Sequence, residues 1–159
     1  MAAADIALID RFYDAFAKHD GVAMAACYAP SARFDDPAFP GLHGDEPGLM
    51  WRMLTERGAD LTVELLERDA DGDNGTAHWV ADYTFAQSGR KVHNDVQASF
   101  RFNDGLIAEH RDDFDFHTWA RQALGLQGLL LGWAPPMQKA VQKKARAQLD
   151  DYAARARGA

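Results

Sequence analysis

The sequence predicts an α+β domain in which N-terminal helices lie on one face of a curved antiparallel sheet. Three observations carry this. Helical periodicity and helix punctuation dominate up to Gly58; from Leu61 onward the apolar period drops to two; and the turns between the two-fold segments are short, so successive strands neighbour each other antiparallel.

The elements follow in order. Ile9, Phe12, Tyr13 and Phe16 obey the i, i+3, i+4, i+7 rule, which predicts a helix over residues 4–18 with one aromatic face, closed by Lys18-His19-Asp20-Gly21. Val22 to Tyr28 reads as a short second helix broken by Pro30, and Ala32–Asp36 as a first short strand. Phe39-Pro40-Gly41 and His43-Gly44 read as a loop, after which Glu46-Pro47 opens a third helix with Leu49, Met50, Met53 and Leu54 on its apolar face. Strands are then predicted over Leu61–Arg68, Thr76–Gln87, Val92–Phe102 and Leu106–Phe116. They are separated by Asp71-Gly72-Asp73-Asn74-Gly75, Ser88-Gly89 and Asn103-Asp104-Gly105. On the second of these strands Trp79, Ala81, Tyr83 and Phe85 share a face.

The remainder differs in kind. Trp119–Trp133 is apolar and punctuated by glycine, and Pro135-Pro136 marks a helix start. Met137, Val141, Lys144, Ala145, Leu149 and Tyr152 then form one helical stripe. This divides the chain into a domain over residues 1–118 and a helical extension over 119–159, packed on that domain or on a partner subunit. A membrane-surface role fits less well, because the polar face mixes Asp150 and Asp151 with Lys and Arg.

Composition excludes several classes. A chain of 159 residues with 47% hydrophobic content can build its own core, and its net charge of −7 lacks the basic surface that nucleic acid requires. The single cysteine, Cys27, sits in an apolar run and reads as a buried small hydrophobe. No signal-peptide pattern or run of membrane-spanning length is present, so a cytoplasmic location with no membrane or nucleic-acid partner is expected. Phosphate loops, nucleophile elbows and Cys/His pairs are missing from the sequence, and no cofactor is expected. His93, His110, Asp112 and His117 lack the spacing of a metal site.

The chemistry-bearing residues cluster at two strand ends. Asp35-Asp36-Pro37 closes the first strand, where a carboxylate over an apolar pocket can act as a base; Asp35 alternates to the solvent side. On the last strand, Phe114 facing the pocket brings His110 and Asp112 with it. A one-residue slip would instead turn Glu109, Arg111 and Asp113 inward and make Asp113 and Asp115 the candidates. Asp36, His110 and Asp112 are therefore the candidate catalytic group. Phe12, Tyr13, Trp51, Trp79, Tyr83, Phe100 and Phe114 are core residues first and substrate-binding candidates second. His93 and Asp95 read as solvent contacts.

Phe12-Tyr13-Asp14-Ala15, then Tyr28-Ala29-Pro30-Ser31-Ala32-Arg33-Phe34-Asp35-Asp36-Pro37, then Gly44, resembles the opening of the ketosteroid isomerase/SnoaL-like, or nuclear transport factor-like, superfamily, over about residues 5–118. The resemblance implies a cone: a strongly curved antiparallel sheet wrapped around helices, enclosing a pocket, in a protein that commonly forms homodimers. It also implies that Asp36 matches the isomerase's proton-shuttling aspartate. The two oxyanion donors of that enzyme fall on Phe12 and near Ala98, neither of which can donate. The superfamily includes isomerases, polyketide cyclases, epoxide hydrolases and modules without chemistry, so fold does not fix reaction. Two functions follow. One is a cofactor-independent isomerase, cyclase or hydrolase acting on a small lipophilic carbonyl or epoxide, with Asp36 as general base. The other is a non-catalytic module for hydrophobic-ligand binding or dimerisation.

Overall fold

A computed structural model describes residues 2–132 and 134–158. Helix α1 (Ala2–Ala17) buries Leu8, Ile9, Phe12, Tyr13 and Phe16 along the predicted stripe. The short α2 (Gly21–Ala25) is capped by Asp20, whose side chain accepts from the Ala23 amide at 3.0 Å. It is followed by β1 (Tyr28–Asp35), the two-residue β2 (Leu42–His43) and α3 (Glu46–Arg57), with Pro47 in its first turn. Strands β3 (Thr62–Asp71), β4 (Asn74–Phe85), β5 (Arg90–Asn103) and β6 (Leu106–Asp113) form the meander. Helices α4 (Phe116–Leu124), α5 (Leu126–Leu131) and α6 (Pro135–Gly158) complete the chain.

All six strands belong to one sheet in the order β2-β1-β6-β5-β4-β3. The meander is antiparallel, whereas β1 runs parallel to β6 and antiparallel to β2. Register shifts at Leu65/Glu67, Arg101/Phe102 and Tyr28/Arg33 bend the sheet, as bulges do. Asp104 (φ 51°) and Gly105 (φ 75°) make the two-residue turn between β5 and β6, the left-handed pair that a tight hairpin demands. Gly75 is fixed by packing: a Cβ there would lie 2.6 Å from the Phe102 ring and 3.1 Å from Ile9, where α1 crosses the sheet.

Inside the concave face, α1 and α3 bury an aromatic core centred on Phe12, Phe16, Trp51, Trp79 and Phe100. A second cluster of Val92, Phe116, Trp119, Ala120 and Ala123 fills the end of the cone under α4. Helix α6 lies over α3: Leu149 and Ala153 enter the main core, Tyr152 donates to Glu56 at 2.7 Å, and Arg146 pairs with Glu46.

Beyond shifts of up to a few residues at other ends, four departures from the sequence expectation have a local cause. Tyr28 opens a strand and does not end a helix, because β1 starts before Pro30 and absorbs it at the register shift. The segment read as a loop contains β2, with Leu42 and His43 opposite Phe34 and Arg33. The last strand stops at Asp113, because Asp115 caps α4 by accepting from the Thr118 amide at 3.1 Å. The apolar run after Trp119 forms two short helices, and Trp133 at its end lies outside the described residues. None of the described helices is long and apolar enough to cross a membrane.

Candidate functional site

The sheet and helices enclose a cavity of about 310 Å³. Strand β4 contributes Trp79, Ala81, Tyr83 and Phe85, β5 gives Asn94 and Val96, Asp112 comes from the end of β6 and Phe114 from just beyond it. Phe16, Trp51 and Leu54 close the helical side, and Asp36, Ala38 and Phe39 supply the wall after β1. The rim is completed by Val141, Lys144, Ala145 and Gln148 of α6. Alternation explains the strand residues: burial falls on every second side chain of β4 from Gly75 to Ala81 and, with Asn94 half-buried, of β5 from Val92 to Phe102, so one parity faces inward.

Asp36 is half-buried at this wall. Its Oδ1 accepts from the amides of Ala38 at 2.7 Å and Phe39 at 2.6 Å, which fixes the carboxyl in an Asx turn and leaves Oδ2 for the cavity. Burial, followed by the negative charge of Asp112, pushes its pKa from the ordinary 3.8 up to about 7; the two amides pull the other way, and Asp35 adds a small upward push. Asp35 itself is exposed and accepts from the Gly41 amide at 2.7 Å.

Behind the wall runs a hydrogen-bonded chain. Trp51 Nε1 donates to the Tyr28 hydroxyl at 2.7 Å, Tyr28 lies 2.7 Å from His110 Nδ1, and His110 Nε2 lies 2.9 Å from Asp112 Oδ1. An indole can only donate and a carboxylate accepts, so the bonding assigns one direction throughout: Tyr28 donates to Nδ1, and Nε2–H donates to Asp112. The His110 side chain is fully buried and Asp112 is 3% exposed. His110 is also wedged against the rings of Phe34, Phe100 and Trp51. Asp112 is thus held by one oxygen, while its other oxygen has no hydrogen-bond partner among the described residues.

Tyr83 sits opposite. Its oxygen accepts from Trp119 Nε1 at 2.8 Å, so its own proton remains available to a ligand, and burial pushes its pKa up to about 12. The charge of Asp36 acts on it, which places the two groups in one neighbourhood.

The β6 register is the one with His110, Asp112 and Phe114 inward and Glu109, Arg111 and Asp113 exposed. Asp36 and Asp112 reach the cavity directly, whereas His110 stands one layer behind, holding Asp112. Trp51, Trp79, Tyr83 and Phe114 line the space. Phe12, Tyr13 and Phe100 are not among the lining residues and form the packed layer beneath. His93 pairs with Asp82, and Asp95 with His78, on the outer face. Among the described residues no three His, Cys, Asp or Glu side chains converge as metal ligands.

Sequence reasoning missed Tyr28 and the α6 rim. Inward parity counted back from Phe34 through Ala32 reaches Tyr28 and could have found the first. Nothing local shows where α6 docks.

Comparison with solved structures returns the same architecture. The chain superimposes on an epoxide hydrolase of the LEH-like kind from M. tuberculosis with a TM-score of 0.66 and 20% identity, over 81% of this chain and 94% of that one. TsrD from Streptomyces laurentii gives 0.66 and 26%, over 77% and 96%. IdmH from Streptomyces antibioticus, a candidate polyketide cyclase, gives 0.60 and 25%, over 75% and 96%. No curated protein matches the sequence. The family model of the SnoaL-like domain matches residues 9–110, which run from the aromatic face of α1 to the histidine behind the cavity. With that match over more than half of its length, and with this cone, the chain belongs to the SnoaL-like domain family.

Proposed function

We propose that the protein is a proton-transfer enzyme of the isomerase, cyclase or hydrolase kind, acting on a small lipophilic carbonyl or epoxide with Asp36 as general base. One observation carries this reading: a carboxylate with an oxygen left for an apolar cavity and a pKa raised to about 7, where a base is half ionised at neutral pH yet still basic enough to take a proton.

The neighbouring groups support it. In the carbonyl case Asp36 Oδ2 removes a proton from carbon, and the developing oxyanion takes a hydrogen bond from the Tyr83 hydroxyl and from Asn94. These replace the donors that the isomerase resemblance puts at Phe12 and Ala98. In the epoxide case Asp36 takes a proton from water, the water oxygen bonds to one ring carbon as that carbon's bond to the epoxide oxygen breaks, and the released alkoxide, hydrogen-bonded to Tyr83, takes the proton back from Asp36 to give the diol. Asp112 lies directly across the strand pair from Ala98, so β6 places a carboxylate beside the position where the resemblance implies a hydrogen-bond donor. The chemistry calls on side chains of this chain alone. Similarity to the LEH-like hydrolase and to IdmH is consistent with either reaction.

The test is a thermal-shift screen against lipophilic ketones, phenols and epoxides, followed by turnover of each stabilising compound by the natural protein and by Asp36→Asn. Loss of about 10²-fold or more in kcat with the variant is expected. Unchanged turnover would remove Asp36 from the reaction.

A second reading, a non-catalytic module holding a hydrophobic ligand, is favoured by Phe12 and Ala98 standing where donors are implied. It requires ligands that stabilise both proteins equally and are never turned over. Either reading is compatible with a homodimer, which the resemblance implies and which the exposed outer face of β5, carrying His93, Asp95, Gln97 and Ser99, could form.

A further inference from the structure

The charges around the cavity constrain what it can hold. Asp36 and Asp112 both line it, and the two charged side chains that act on Asp36 are carboxylates, Asp112 and Asp35, each pushing in the same direction. The one cationic side chain among the lining residues is Lys144, which is exposed at the rim where water screens it. Between rim and carboxylates the walls are aromatic: Phe16, Trp51, Trp79, Tyr83, Phe114 and Trp119. Ring faces attract a cation through their quadrupole, more strongly once it is desolvated, and carboxylates in a low-dielectric cavity attract it further. A neutral ligand gains neither term and leaves the two negative groups facing each other.

We propose that the cavity takes a lipophilic amine in protonated or quaternary form, its cationic nitrogen beside Asp112 and its apolar substituents against the aromatic walls. The proposal rests on the reading of Asp36 as base only in that the reacting carbonyl or epoxide is carried by the same molecule. The two carboxylates then divide the work. Asp112, held at one oxygen by His110 Nε2, is a fixed counter-ion. Asp36, held at one oxygen by two amides, is the group free to exchange a proton.

Proton linkage follows from this division. A cation within reach of Asp36 favours its ionised form. Below about pH 7, where the carboxyl of the empty cavity is protonated, the incoming cation expels that proton. The titratable or charged groups facing Asp36 are Asp35 from its own segment, Asp112 from β6 with His110 behind it, Tyr83 from β4 and Lys144 from α6. Tyr83, its pKa pushed up to about 12, stays protonated throughout.

Benzyltrimethylammonium and its uncharged carbon isostere, neopentylbenzene, test the proposal by quenching of tryptophan fluorescence and by calorimetry. The cation should bind about tenfold or more tightly than the isostere at pH 8. Asp112→Asn, which can still accept from His110, should weaken the cation several-fold and leave the isostere unchanged. Calorimetry of the cation at pH 6, repeated in buffers of different ionisation enthalpy, should report proton release that Asp36→Asn abolishes. An isostere that binds as tightly as the cation overturns the amine class and leaves Asp36 as base untouched; so does cation binding with no proton release and no loss in Asp112→Asn. If neither compound binds and no ketone or epoxide is turned over, both readings fall together.

Discussion

Asp36 is held by features that pull in opposite directions. Two backbone amides favour its ionised form, while burial and the carboxylate of Asp112 oppose it more strongly. Folding therefore raises its pKa above the unfolded value, so between about pH 4 and 7 the folded chain keeps a proton that the unfolded chain has released. Stability contributed by this group falls as pH rises through that window. Asp36→Asn preserves the acceptor for both amides and removes the fall, so it should stabilise the protein at pH 8, by up to about 4 kcal/mol, and leave it nearly unchanged at pH 4. Chemical denaturation at the two pH values measures this. Tyr13 offers a second residue-scale test. Its hydroxyl is buried without a hydrogen-bond partner among the described residues, and burial raises its pKa well above the ordinary phenol range. Replacing it in Tyr13→Phe removes an unsatisfied group without opening a cavity, and the melting temperature should rise, in line with about 1 kcal/mol. A drop would mean that the hydroxyl has a partner in solution.

At the scale of elements, the sequence was legible wherever side-chain parity and turn chemistry agreed. Trp79, Ala81, Tyr83 and Phe85 share the cavity face because a strand repeats every two residues, and Asp104-Gly105 placed a hairpin where one forms. Reading failed where a local signal was overruled by tertiary pairing. Pro30 looked like a helix breaker, yet β1 carries it at an irregular stretch between β2 and β6, where the ladder already shifts register. The Asp115 cap was hidden because Phe114 and Phe116 continue the strand's alternation across it. Helix α6 was legible as a stripe but not as a wall of the site, since where a helix docks depends on surfaces assembled from distant segments. Gln138 and Gln142, one turn apart, each donate from Nε2 to the Pro37 carbonyl at 3.1 Å, tying α6 to the loop that carries Asp36. Leu149 of the same helix is 1% exposed. Leu149→Ala should cost about 2–5 kcal/mol, read by urea denaturation. A loss below about 1 kcal/mol would mean that α6 does not pack on its own domain.

For the whole molecule, the cone was readable because the order of elements and the Asp35-Asp36-Pro37 segment coincide. The reaction was not readable, because it depends on which groups face Asp36 across the cavity. Those groups come from β4, β5, β6 and α6, which only the folded, curved sheet and its docked helix bring together. A homodimer is the assembly expected, and sedimentation at micromolar concentration should give twice the 17.6 kDa of one chain; a single-chain mass would leave the cavity account standing and remove the dimer. The cavity account itself depends on the ionisation of one carboxyl. A ¹³C NMR titration of the aspartate side chains, with Asp36 assigned through Asp36→Asn, measures it directly. The expected midpoint lies near 7 and falls when Asp112→Asn removes the neighbouring charge. A midpoint near 4, indifferent to that substitution, would show Asp36 to be a solvated turn residue and not a general base.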